Sequence, residues 1–118
     1  MPRARPSEMP IAMGAEGDFE ARHVEWGGMN AAHQVLTPLD CTEIFATLPG
    51  GHCEVPHWGY VIEGSFRCKY GDHEETYAAG DLYFLAPGHI PVIDERAVVV
   101  EFSPAADYAA MLGHLGMA

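Results

Sequence analysis

The stretch from His52 to Gly64, His-Cys-Glu-Val-Pro-His-Trp-Gly-Tyr-Val-Ile-Glu-Gly, constrains this chain most. It sets two imidazoles, a thiol and a carboxylate within six residues, then an apolar run and a glycine turn. Consecutive apolar positions predict a strand buried on both faces. A strand entered by His and Cys puts metal-type side chains beside a dry interior. That pattern names a class of site and leaves the substrate open.

The segments around it read as short strands cut by turn residues. Phe19 to Trp26 ends at Gly27-Gly28, and Ala31 to Leu36 stops at Thr37-Pro38. Thr42 to Leu48 alternates weakly before Pro49-Gly50-Gly51 and is taken as a third strand. In Ser65 to Tyr70 the alternation is clean: Phe66, Cys68 and Tyr70 share one face, with Ser65, Arg67 and Lys69 on the other. Gly71-Asp72 turns the chain back into His73 to Ala78. Leu82 to Leu85, apolar on both faces, follows Ala79-Gly80-Asp81, and Pro91 to Ile93 and Ala97 to Phe102 complete the set. Many short strands at regular spacing predict a sandwich or barrel.

The period changes at the end. Ser103-Pro104 reads as a helix N-cap with proline at the first helical position. Tyr108, Met111, Leu112 and Leu115 then fall at i, i+3, i+4 and i+7, an amphipathic helix closing on Gly116. It is expected to pack on the barrel or on a partner subunit. The first residues lack periodicity. We therefore expect a poorly ordered arm over 1–17, a barrel over 18–103 and a helical segment over 104–118. Met9, Ile11 and Met13 give the arm a second option, docking on a neighbouring subunit.

Charge narrows the partners. Seventeen acidic residues against six basic ones give a formal charge of −11, which repels nucleic acid. No run of 18 apolar residues exists to span a membrane. The start carries arginines with no apolar stretch behind them, so no secretory leader is expected. Cys41, Cys53 and Cys68 cannot all pair within one chain, so reduced thiols and a cytoplasmic location are expected. Cys68 reads as core, His73 as a hairpin tip and His114 as an exposed helix position.

These residues resemble the cupin family, whose two motifs are G-x5-H-x-H-x3,4-E-x6-G and G-x5-P-x-G-x2-H-x3-N. Gly64 ends the first motif and Gly80 opens the second, with fifteen residues between them. The resemblance covers about Thr42 to Phe102. Pro56-His57-Trp58-Gly59-Tyr60-Val61, with Pro87-Gly88-His89-x-Pro91, is similar to a subset of small single-domain bacterial cupins. It implies an all-β fold, a double-stranded β-helix or jelly-roll barrel with one short C-terminal helix, and a homodimer. Leu82 and Phe84 are apolar outer positions that a second copy would cover.

The departures decide the site. The motif glutamate falls on His57, and the second motif histidine on His52 or Cys53. The first falls on Gly50 or Gly51 and is missing. In the second motif the proline is Ala86, the histidine Pro91 and the asparagine Glu95. His89 lies two residues before the expected ligand, hence on the same face of a strand. The three-His, one-Glu centre of many cupins is therefore absent as such.

A different donor set takes its place. Regular strand parity puts Cys53 and His57 on one face and His52 on the other, although a bulge at Pro56 would bring His52 in. Cys53 or His52, with His57 and His89, gives three metal ligands, with His33 on an early strand as a candidate fourth; His33, Trp58 and Tyr60 are pocket candidates. Nitrogen donors with a thiolate favour zinc, with iron, nickel or copper behind it. Taken singly, each His or Cys also reads as ordinary core, as do Trp58 and Tyr60. Catalytic residues are not identified; Glu54, Glu63 and Tyr60 are acid–base candidates. With so few cations, an anionic substrate would need the metal as its anchor; without metal, a neutral or aromatic ligand is the easier guest of an apolar pocket. Three functions follow: a metal-dependent dioxygenase, isomerase or cyclase; a ligand-binding cupin without chemistry; or a metal-free structural module.

Overall fold

The computed structural model describes residues 2–15 and 19–116. Among the described residues, ten strands form two antiparallel sheets closed into a jelly roll. The strands are β1 Ile11–Gly14, β2 Glu20–Trp26, β3 Met29–Leu36, β4 Leu39–Asp40, β5 His57–Glu63, β6 Ser65–Lys69, β7 Glu74–Ala78, β8 Leu82–Leu85, β9 Ile90–Ile93 and β10 Ala97–Pro104. Two α-helices, α1 Thr42–Phe45 and α2 Ala105–His114, and two single 3-10 turns, Pro6–Glu8 and Pro49–Gly51, complete the fold of the described residues. One sheet runs β1-β2-β3-β10-β5-β8 and the other β4-β9-β6-β7.

Period-two burial builds the barrel. On β6, Phe66 and Cys68 are buried and pack between the sheets with Val61, Tyr83, Leu85 and Val99. The all-apolar strands depart from expectation. Val61 is buried, but Tyr60 and Ile62 on either side of it are exposed; likewise Tyr83 and Leu85 are buried while Leu82 and Phe84 are exposed. Both strands are half-buried, because no further layer among the described residues covers the outer face.

Three other segments differ from the sequence reading. Thr42–Phe45 is helical rather than extended. Asp40 Oδ1 accepts from the Thr42 amide at 2.9 Å, and the Phe45 amide donates to the Cys41 carbonyl at 2.8 Å. That side-chain turn starts a helix before strand pairing can begin. The amino-terminal segment is also not free. β1 pairs with β2, Met9 is buried, and Arg22 donates to the Met9 carbonyl at 2.9 Å. The rest of the expected arm, at Met1 and 16–17, lies outside the described residues, as do 117–118 of the helical segment.

Ser103 is the third difference. It belongs to β10 and makes no cap hydrogen bond to α2, because its hydroxyl is turned into the barrel. The helix itself follows its periodicity. Tyr108, Met111 and Leu112 are buried and pack with Leu48, Cys53 and Val55 in a second apolar cluster. This cluster sets α2 beside the Cys53 segment.

Candidate metal centre

Alternation through the central stretch places its side chains. Cys53, Val55, His57, Gly59 and Val61 are buried; Glu54, Trp58, Tyr60 and Ile62 are exposed. Cys53 is tied to the His89 turn by two backbone bonds. Its amide donates to the His89 carbonyl at 3.0 Å, and the Gly88 amide donates back to the Cys53 carbonyl at 2.8 Å. Gly88, at φ +101°, takes the left-handed conformation that the turn into His89 requires.

Three donors meet there. Ligand-type atoms of Cys53, His57 and His89 all lie within 4.8 Å of one another, and all three residues are buried. Cys53 Sγ stands 3.8 Å from His57 Nε2. The imidazole centroids are 5.0 Å apart with planes at 64°. Two ligands of one ion, bonded at about 2.0–2.3 Å and set at tetrahedral to trigonal angles, stand roughly 3.5–4 Å apart. The donor set therefore fits a transition metal.

Each ring is oriented by its other nitrogen. His89 Nδ1 donates to the Ala86 carbonyl at 2.8 Å. A carbonyl can only accept, so the His89 proton sits on Nδ1 and Nε2 keeps its lone pair. His57 Nδ1 faces Ser103 Oγ at 2.5 Å and Glu101 Oε1 at 3.2 Å. With its proton on Nδ1, His57 also presents a free Nε2. Tyr83 donates its hydroxyl to Glu101 Oε2 at 2.7 Å, fixing the carboxyl. Partners of this kind accompany metal-ligating histidines and hold the ring in its binding tautomer.

Burial sets the protonation states. It pulls both imidazoles down to about 4, with His57 adding to the effect at His89, so both rings are neutral at pH 7. Burial pushes the Cys53 thiol up to about 12. It also raises the Glu101 carboxyl, against the opposing bond from Tyr83. A cation among these groups would supply the charge that stabilises the thiolate.

The cluster lines a cavity of about 250 Å³. Its wall is mostly apolar, from Met13 and Phe19 near β1 to Ile93 on β9 and Met111 on α2. Gln34, Glu101 and Tyr108 interrupt it, and the Tyr108 hydroxyl is buried without a hydrogen-bond partner.

Several expected residues stand elsewhere. His52 points away from the cluster, with Nδ1 2.8 Å from Glu54 Oε1, so no bulge at Pro56 brings it in. Trp58 and Tyr60 are 46% and 40% exposed on the outer face of β5 and do not line the cavity. His33 has the wrong parity on β3; its neighbour Gln34 reaches the cavity instead. Glu54 and Glu63 are exposed too. Glu101, Ser103, Tyr83 and Gln34 were missed. A carboxylate inside the apolar run Val98-Val99-Val100-Glu101-Phe102 was the available signal, since charge is seldom buried without a task.

No protein-family model matches the chain, and no curated protein matches it. Solved structures do. A cupin-2 domain-containing protein from Shewanella frigidimarina aligns with a TM-score of 0.56 at 17% identity, over 76% of this chain and 84% of that one. The EutQ protein of Clostridium difficile aligns at 0.61 and 15% identity, over 81% and 69%. The FeII form of HppE aligns at 0.61 and 13% identity, over 87% and 60%. Identities this low establish a shared fold: the chain is a cupin-type jelly roll.

Proposed function

We propose that this chain holds one transition-metal ion on Cys53, His57 and His89 and receives a small organic molecule in the adjoining cavity. The meeting of three buried ligand-type side chains carries the reading: donor atoms of Cys53, His57 and His89 lie within 4.8 Å of one another, and the His89 tautomer set by the Ala86 carbonyl leaves Nε2 with a lone pair to give. The FeII form of HppE supports it, as a protein of the same fold whose name includes iron.

A bound ion would supply Lewis acidity or a hydroxide near neutral pH. The chain's own groups do the rest. Ser103 and Glu101 hold the His57 ring, Tyr83 holds Glu101, and the apolar wall keeps water from the donors. The partnerless Tyr108 hydroxyl and Gln34 offer polar contacts to a guest that is otherwise apolar and uncharged. A dioxygenase, isomerase or cyclase reaction is the chemistry proposed for this arrangement. The protein is proposed to work in the cytoplasm; among the described residues, no helix is long and apolar enough to cross a membrane.

Elemental analysis of the purified protein tests the reading. One ion per chain is expected, lost in His57→Ala with the fold retained by circular dichroism. Metal-free protein that takes up no zinc, iron, nickel or copper would overturn it. The cavity wall favours a second reading, ligand binding without chemistry. A melting-temperature rise with a neutral ligand, unaffected by chelator, would support that instead.

We also propose a homodimer. Phe102, Trp58 and Phe84 lie side by side across β10, β5 and β8 on the outer face, with Tyr60 beside Leu82 in the next row. Leu82 is 83% exposed on the edge strand of its sheet. A second copy would cover that strip and the free edge together.

A further inference from the structure

A fourth donor stands at the centre. Met111 Sδ lies 3.7 Å from Cys53 Sγ, inside the separation expected for two ligands of one ion. Met111 is buried and lines the same cavity as His57 and His89. It is carried by α2, which β10 leads into directly and whose first amide donates to the Gly28 carbonyl at 2.9 Å. The thioether is thus brought to the thiol by an element outside both sheets. With the Cys53 thiol deprotonated by a bound ion, two imidazole nitrogens, one thiolate and one thioether would form an N2S2 set.

Softness chooses among metals. A thioether is a poor ligand for zinc or iron(II) and a good one for copper(I), and two imidazoles with a thiolate and a weak methionine make a copper-type donor set. A dry apolar wall further favours an ion of low charge, because a monocation neutralised by one thiolate leaves no net charge to desolvate. We infer that Met111 is the fourth ligand and that the centre selects copper(I). This rests on the metal-binding reading above and names its ion. It replaces zinc as first choice, because the sequence placed Met111 only on a helix face.

Selection also has a structural consequence. The other ligands belong to the barrel, so a copper(I) ion would tie α2 to it, whereas zinc held by three ligands would not.

The test compares the wild-type chain with Met111→Leu, a volume-conserving change. Metal-free protein of each kind competes for copper(I) against a chromogenic chelator and for zinc against a fluorescent one. Met111→Leu should weaken copper(I) by roughly tenfold or more and leave zinc within about twofold. X-ray absorption of copper-loaded wild type should show two sulfur neighbours per copper, and amide exchange in α2 should slow with copper(I) more than with zinc. Equal losses for both metals, no loss for either, or a single sulfur neighbour would overturn the copper assignment and leave the three-ligand reading standing. If wild type binds neither metal, both fall. Should the variant fail to fold, the sulfur count on wild type decides alone.

Discussion

His57 and Glu101 sit on neighbouring strands with Nδ1 and Oε1 3.2 Å apart, and the carboxyl is buried beneath Tyr83. Glu101 meets the His57 ring on one oxygen and the Tyr83 hydroxyl on the other, so its effect on an ion passes through the ring. Glu101→Gln keeps the volume and removes the charge. Metal affinity should fall about 10- to 100-fold. Thermal stability should hold or rise, since a buried carboxyl is lost. A calorimetric titration together with a melting curve checks both. Unchanged affinity would show that Ser103 orients His57 without help.

Acid should destabilise the metal-free protein. The folded-state values of His57 and His89 are pulled from 6.5 to about 4, so the unfolded chain takes up protons first as pH falls. Their contribution is complete above pH 6.5 and is lost between there and about 4, at up to roughly 1.4 kcal/mol per pH unit for each ring. Glu101 opposes this. Its raised value means that burying it costs stability near neutrality, a cost that acid relieves. Two groups outweigh one, so the melting temperature should drop from pH 7 to 4.5. His89→Ala should flatten that slope, and equal slopes in variant and wild type would refute the assignment.

Gly59 is required by space and not by backbone angle. A Cβ there would run into the Tyr83 ring, its hydroxyl and the Val100 carbonyl. β5 is paired on both sides, with Gly59 opposite Glu101 and Tyr83, so the backbone cannot yield. Gly59→Ala should cost about 1–3 kcal/mol. It should also push Tyr83 off Glu101 and weaken metal binding. Urea unfolding measures the first effect and metal titration the second.

The outer strip should govern assembly. Phe84→Glu places a charge beside Trp58, whose ring centroid is 5.2 Å from that of Phe84. Sedimentation should show a dimer for wild type and a monomer for the variant, with cavity and fold intact. Because each chain carries a charge of −11, the wild-type dimer should tighten as salt screens repulsion. A wild-type monomer at all salt concentrations would end the proposal.

The sequence alone determined a sandwich or barrel, through period-two alternation on β6 and the turn glycines that space the strands, and the cupin resemblance implied the jelly roll. Parity over four residues of an extended chain predicted that Cys53 and His57 share a face, and the structure decided it by keeping the alternation regular through Pro56. The sequence did not determine the helix at Thr42–Phe45, where one Asp40 side chain outweighed weak alternation. Nor could it place β10 between β3 and β5, the pairing that carries Glu101 and Ser103 to His57 across more than forty residues of chain. Met111 shows the same limit: on its own helix it is one more apolar position, and only the packing of α2 on the barrel makes its sulfur a neighbour of Cys53. Local patterning decides which way a side chain faces; the closure of the sheets decides what it meets.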